Sequence, residues 1–107
     1  MGGGSKFIAR RRENGMNEKE IINQIKEYLK TLSDCFFWKE HGGQFGQAGL
    51  PDLIVCYKGR FVAFEVKTEK GKLTVLQGLT IRQIQKAGGT AAVVRSVDEA
   101  RQVIERL

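Results

Sequence analysis

The chain has 107 residues, of which 18 are Lys or Arg and 12 are Asp or Glu, so its formal net charge is +6. This length and composition are typical of a single compact globular domain. No apolar run approaches the roughly 20 residues that span a bilayer, and the glycine-rich, basic start lacks the apolar core of a secretory signal.

The positive charge favours a polyanionic partner, most simply a nucleic acid. Cys35 and Cys56 stand among apolar neighbours and are expected to be buried free thiols. The sequence has no Cys/His spacing typical of structural zinc. These features favour a reducing compartment, so we expect a cytoplasmic protein, in the host cell if the chain is viral.

Residues 1–15 are glycine-rich and then basic, without stable periodicity. They are predicted to be a flexible or expression-derived leader, and the folded domain is expected at residues 16–107. The alternative is a basic arm that contacts phosphates.

The first predicted helix covers about residues 17–32, with Asn17 as N-cap and apolar residues at helical spacing. Glu18 precedes Ile21, Ile22 and Ile25 by three, four and seven positions, so it is predicted on their buried face. A carboxylate there needs a partner or a metal ion. The alternative is a first-turn acid favoured by the helix dipole.

Residues 35–41 are predicted to form a strand, followed by a glycine-rich loop over 42–49 whose backbone can approach a ligand closely. The loop matches neither a P-loop nor a dinucleotide fingerprint. His41, at its start, is interpreted as a surface or structural histidine rather than a phosphate contact.

Two strands joined by a tight turn at Lys58 and Gly59 are predicted at the centre of the chain, over about 52–57 and 61–67. Asp52 opens the first, and Glu65 and Lys67 lie near the end of the second on one face. The apolar runs indicate strands covered on both sides, where acids are costly unless they share a cation. The converging groups therefore predict a divalent-metal site. An ion pair of Lys67 with one acid is the alternative, and it leaves the other acid unexplained.

A charged turn at residues 68–72 precedes a predicted helix over 75–87, with Thr74 as N-cap and an inward face of Val75, Leu76, Leu79, Ile84 and Ala87. The spacing of Thr74 and Gln77 also fits a capping box. A strand over 90–94 follows, reached by a link long enough for a parallel crossover.

Ser96 and Glu99 form a second predicted capping box, which begins a helix to Leu107. The predicted order is α-β-β-β-α-β-α, a mixed central sheet flanked by helices in one α/β domain.

The residues Pro51-Asp52 and Glu65-Val66-Lys67 resemble the motif of the PD-(D/E)xK nuclease superfamily. Further runs are similar to its VRR-NUC branch: Gly49 to Leu53, Phe64 to Thr68, Gly71 to Gln77, and Ala87 to Gly89. The resemblance covers residues 16–107 and implies a restriction-endonuclease-like core. Val75 stands where the family often has proline, without an expected chemical consequence.

The resemblance implies roles for six residues. Asp52 and Glu65 would coordinate Mg²⁺ or Mn²⁺ together with the backbone carbonyl of Val66. Lys67 would orient the attacking water and steady charge on the phosphate. Gln77 would support the water or metal shell from its helix, and Glu18 would complete the acidic set through water.

The leading hypothesis is a metal-dependent DNA endonuclease that selects DNA structure, acting as a homodimer on branched DNA such as Holliday junctions. Cations expected near the DNA backbone are Arg60, Lys70, Lys72, Arg82 and Lys86, each with plain solvation as the alternative. The competing hypotheses are a catalytically idle nucleic-acid-binding module of a phage or repair complex, and a basic adaptor in which the acids are structural.

Overall fold

The computed structural model describes residues 15–42 and 46–107. The predicted leader, apart from Gly15, and the middle of the glycine-rich loop lie outside the described residues. The elements, in chain order, are α1 (Glu18–Lys30), β1 (Cys35–Lys39), β2 (Leu53–Tyr57), β3 (Arg60–Val66), α2 (Val75–Lys86), β4 (Thr90–Val94) and α3 (Val97–Glu105). The predicted fold class and element order are confirmed.

The four strands form one mixed sheet in the order β1-β2-β3-β4. β1 pairs antiparallel with β2, β2 pairs antiparallel with β3, and β3 pairs parallel with β4. The β2–β3 turn has positive φ at both Lys58 (52°) and Gly59 (80°), the conformation of a two-residue turn that matches strand twist. This turn fixes the register of the hairpin on which the candidate site depends.

Local signals set the helix starts. The Asn17 and Thr74 side chains each accept from the backbone N–H three residues later and form complete capping boxes with Glu20 and Gln77. The box predicted at Ser96 is only half formed, because the Glu99 carboxylate accepts from the N–H of Arg95 (2.7 Å) instead of that of Ser96.

The larger core lies between one face of the sheet and the helices α1 and α3. Its members include Ile25, Leu29, Leu53, Val55, Val62, Phe64, Val66, Val94 and Ile104. None of the helices α1 to α3 combines the length and apolar character needed to span a bilayer.

The other face of the sheet packs on α2 through Ile54, Ala63, Ala91 and Ile81. The predicted inward face of α2 is wrong in part, since Val75 is 81 % exposed and Leu76 and Leu79 are each more than 40 % exposed. The helix instead buries Thr80 and Ile81. Thr80 is tolerated there because its hydroxyl donates to the Leu76 carbonyl (3.1 Å).

α2 leaves the β1 side of this face uncovered. Phe36, Cys56 and Phe61 are neighbours across β1, β2 and β3, and all three are exposed. The prediction of two buried thiols is therefore wrong for Cys56, which is exposed, while Cys35 is partly buried. The physical reason is that no described element packs over this part of the sheet.

Candidate active site

The hairpin brings two acids to the same end of the sheet. The last ladder pair of β2 and β3 is Leu53 with Phe64, so Asp52 falls opposite Glu65 one residue further on. The Asp52 carboxylate accepts a hydrogen bond from the N–H of Val66 (Oδ2···N 2.7 Å). This bond holds the Asp52 side chain against the end of β3.

Glu65 and Lys67 project to the same face of the sheet as Asp52, because side chains alternate along a strand. Glu65 is 3 % exposed and Lys67 is 8 % exposed. The Lys67 Nζ lies 3.9 Å from Glu65 Oε2. The structure thus brings together Asp52, Glu65 and Lys67, as the sequence predicts.

Gln77 reaches the same place from α2. Its Nε2 donates to Glu65 Oε2 (3.3 Å), while its Oε1 accepts from the N–H of Thr74 (3.0 Å). The capping box predicted for Gln77 is therefore formed through its oxygen, while its amide nitrogen contacts Glu65. Capping fixes the side chain in the orientation that the contact requires.

Several neighbouring groups shift the pKa of Glu65. Burial, then the charge of Asp52 and a hydrogen bond with its carboxyl, raise the pKa of Glu65 to about 8; Lys67 opposes this rise and the charge of Glu18 adds to it. Two carboxylates close together in a largely buried site repel each other, and the single ammonium of Lys67 does not compensate. The group formed by Asp52, Glu65 and Lys67 therefore has more negative than positive charge.

Glu18 lies in the first turn of α1 and is exposed, so its predicted burial is wrong. The helix directs Ile21, Ile22 and Ile25 to the core, and the first turn extends beyond the packed surface. The carboxylate is still near enough to Glu65 to raise the pKa of that residue. Glu18 thus lies at the exposed start of α1, within electrostatic reach of Glu65.

Val66 contributes its backbone at the site: its N–H donates to Asp52, and its side chain is fully buried in the larger core. The next residue, Lys67, extends the pairing with β4, because its N–H donates to the Val94 carbonyl (3.1 Å). The backbone here is therefore held by the Asp52 side chain on one side and by β4 on the other.

The raised pKa predicts how the stability of the metal-free protein depends on pH. Between pH 4.5 and about 8 the folded state keeps the Glu65 proton and the unfolded state releases it, so stability falls as pH rises through this window. Urea denaturation at several pH values measures the effect, and the Glu65→Gln variant is the control. Equal pH dependence in the two proteins would contradict the assigned environment of Glu65.

The predicted DNA-binding cations fall into three places, and all are exposed. Lys70 and Lys72 lie in the loop that joins Lys67 to α2. Arg82 and Lys86 lie further along α2. Arg60 begins β3, at the end of the sheet opposite Glu65, about 17 Å away at the usual rise of a strand.

Two residues near the site have no individual role in the sequence prediction. Arg95, directly after β4, donates from Nη1 to the carbonyls of Thr68 and Gly71 in the loop after Lys67. Gly49 has φ +82° and lies so close to α2 that an added Cβ would be 2.7 Å from Leu76 Cγ. The sequence signal that could have identified Arg95 is a basic residue directly after the strand that runs parallel to β3.

His41 is exposed, as its interpretation as a surface residue predicts.

Comparison with known proteins gives one family and several solved structures, among them two of the same type. The family model of the VRR-NUC domain matches residues 8–98. A solved structure titled VRR_NUC domain is similar with a TM-score of 0.71 and 27 % identity, over 85 % of this chain and 97 % of that one. A second, titled VRR_NUC domain protein, has a TM-score of 0.70 and 23 % identity, over 85 % and 87 % of the two chains. No curated protein gives a significant match.

Proposed function

The chain belongs to the VRR-NUC family, whose nuclease-type domains process DNA, and we propose that it is a metal-dependent endonuclease that hydrolyses phosphodiester bonds in branched DNA. The observation that supports this most directly is the convergence of Asp52, Glu65, Lys67 and Gln77 at one end of the sheet.

The donor set fits a hard divalent cation. Two carboxylates lie together, one of them almost fully buried with its pKa raised to about 8, and an added positive charge would relieve their repulsion. Oxygen ligands suit Mg²⁺ or Mn²⁺. In the described part of the chain no three His, Cys, Asp or Glu side chains are grouped to hold a metal ion. In our proposal Asp52 and Glu65 hold the ion with the Val66 carbonyl, and Glu18 acts through water.

A divalent cation at this place supplies a nucleophile from water at neutral pH and relief of charge on the phosphate. Hydrolysis adds water across one P–O bond and leaves a phosphate monoester and a hydroxyl. Lys67 would orient the attacking water and balance charge on the phosphate, and the support for this role is that its buried ammonium lies beside Glu65. Gln77 restrains Glu65 through its amide and so keeps that carboxylate directed at the site.

The test is cleavage of four-way junctions, flaps and linear duplexes, compared side by side with Mg²⁺, with Mn²⁺ and with EDTA. We expect cutting that depends on the metal ion and is strongest on branched DNA, with symmetric nicks on the junction. Tight DNA binding without cutting under any metal would instead support an idle nucleic-acid-binding module.

We further propose that the active form is a homodimer, since a domain with one site needs two copies to cut a junction symmetrically. The support is the exposed aromatic face of the sheet, where Phe36 is 67 % exposed, Trp38 46 % and Phe61 45 %. Phe36 and Trp38 are adjacent, with ring centroids 6.1 Å apart. Apolar patches of this kind commonly mark protein interfaces, and a two-fold axis would place the patch against itself.

Replacing Trp38 with Glu is expected to weaken the dimer by about a hundredfold, because a charge would replace a large aromatic side chain in the contact. Sedimentation over a concentration series measures this. Asn23→Glu is the matched control, since Asn23 is exposed on α1, which packs on the other face of the sheet. A wild-type chain that stays monomeric at all concentrations, or a Trp38→Glu variant that dimerises normally, would contradict the proposal.

A further inference from the structure

The loop that joins Lys67 to α2 folds back on itself. The N–H of Gly71 donates to the carbonyl of Thr68 (3.1 Å), which closes a turn over residues 68–71. An added Cβ at Gly71 would lie 3.3 Å from Thr68 Oγ1 and 3.5 Å from Lys67 Cβ, so the turn packs closely against the residue it follows. Both ends of this loop belong to the candidate active site, with Lys67 before it and Gln77 in the helix after it.

The Arg95 side chain donates hydrogen bonds to the backbone carbonyls of this turn. Its Nη1 lies 2.8 Å from the Gly71 carbonyl oxygen and 2.5 Å from that of Thr68, with the Glu69 carbonyl at 3.3 Å. Three carbonyl dipoles therefore point at one guanidinium. Hydrogen bonds from a charged donor are roughly twice as strong as neutral ones, so the turn has a strong preference for a cation here.

Arg95 is itself held in place. Its own N–H donates to Glu99 Oε1 (2.7 Å), and the N–H of Glu99 donates to Ser96 Oγ (3.1 Å) at the start of α3. The preceding residue, Val94, accepts from the N–H of Lys67. The junction of β4 and α3 is thus a fixed base from which the guanidinium reaches the turn.

The turn carries exposed charge outward. Lys70 lies within it and Lys72 directly after it, and both are exposed. Within the described part of the chain neither lysine forms an ion pair, while Glu69 is an exposed acid of the same turn. The lysines therefore remain available for phosphate groups.

We propose that Arg95 is a positioning residue for DNA binding, which acts through the turn by presenting Lys70 and Lys72 to the DNA backbone beside the site. The inference rests on the proposed function for the identity of the ligand. It assigns to Arg95 no contact with DNA, because its guanidinium is directed at the carbonyls of the turn.

A double-mutant cycle tests the proposal, with DNA affinity measured by fluorescence anisotropy without a metal ion, so that cleavage is not needed. Arg95→Ala is expected to weaken binding by about tenfold, and the paired change Lys70→Ala with Lys72→Ala to weaken it similarly and to lower the salt slope by about 2. In the background of the paired change, Arg95→Ala should add less than about twofold, because the residues act as one unit. The proposal would be overturned if Arg95→Ala weakened DNA binding equally in both backgrounds, or if it weakened binding in neither.

Arg95→Lys covers the case in which the alanine variant does not fold. Lysine keeps the charge but loses the planar guanidinium, so partial retention of affinity and faster hydrogen exchange at the Gly71 amide are expected. In cleavage assays KM should rise while kcat stays within about twofold. Unchanged exchange at Gly71 would overturn the role of Arg95 in the turn. A wild-type protein that does not bind DNA would contradict the proposed function, and the exchange measurement would still decide the role of Arg95.

Discussion

Replacing Glu65 with Gln is expected to lower the rate of DNA cleavage by about 10³-fold or more while raising the stability of the metal-free protein at pH 8. The loss of activity follows from removing a ligand charge at the centre of the proposed metal site. The gain in stability follows because the buried carboxylate, whose pKa is raised to about 8, is replaced by a neutral group of the same shape.

The opposite signs separate this prediction from simple unfolding. If Glu65 were a purely structural acid, its replacement would lower both the activity and the stability of the protein. Asp52→Asn provides the contrast: activity should fall similarly, but stability should not rise, because the Asp52 carboxylate accepts from the N–H of Val66. Glu27→Gln is the matched control, since Glu27 is exposed and pairs only with Lys30 in the described structure.

Single-turnover cleavage of a junction and urea denaturation measure the two effects. The control should cut within about twofold of wild type, as expected for an exposed charge. A Glu65→Gln variant that cuts at the wild-type rate would show that the site assignment is wrong. One that loses stability as well as activity would show that the carboxylate is satisfied in the fold without a cation.

The placement of Asp52 beside Glu65 could be predicted from sequence because both residues belong to one hairpin. The two-residue turn at Lys58 and Gly59 fixes the register, and that register puts Asp52 opposite Glu65 without reference to the rest of the fold. Helix starts were equally predictable, because Asn17 and Thr74 lie next to the groups they cap.

Most features that the sequence did not predict depend on packing between distant segments. Periodicity places Leu76 and Leu79 inward on α2, yet the helix turns Gln77 and Thr80 toward the sheet, because Gln77 meets Glu65 there. Glu18 follows the buried stripe of α1 but lies beyond the packed surface. The contact of Arg95 with the turn joins residues more than twenty positions apart.

Gly49 is where the largest effect on stability is expected. The residue has φ +82°, and a Cβ there would meet Leu76 Cγ at 2.7 Å and both the Leu76 carbonyl and Thr80 Oγ1 at 3.2 Å. Gly49→Ala therefore combines a left-handed backbone with a clash against α2. The expected loss of stability is about 2–4 kcal/mol, from the backbone term and overpacking together.

Gly59→Ala is the matched control for the backbone term. Gly59 has nearly the same φ (+80°), but an added Cβ would find nothing within 4 Å. Its expected cost is about 1–2 kcal/mol, so the difference between the two variants isolates the contact with α2. Urea denaturation of both metal-free proteins at one pH measures this difference, and equal losses would contradict close packing of Gly49 on the helix.

Gly49→Ala and Gly59→Ala also test whether this packing affects DNA cleavage. A Cβ at Gly49 would press on the Leu76 side chain and carbonyl and on Thr80 Oγ1 of α2, and the same helix carries Gln77, whose Nε2 lies 3.3 Å from Glu65 Oε2. Folded Gly49→Ala protein at low temperature should therefore cut DNA about ten- to a hundredfold more slowly, as is usual when a group that orients a metal ligand is displaced. Gly59→Ala should keep near wild-type activity, because its turn lies at the opposite end of the sheet. If both folded variants cut at the wild-type rate, the position of α2 does not control the orientation of Glu65.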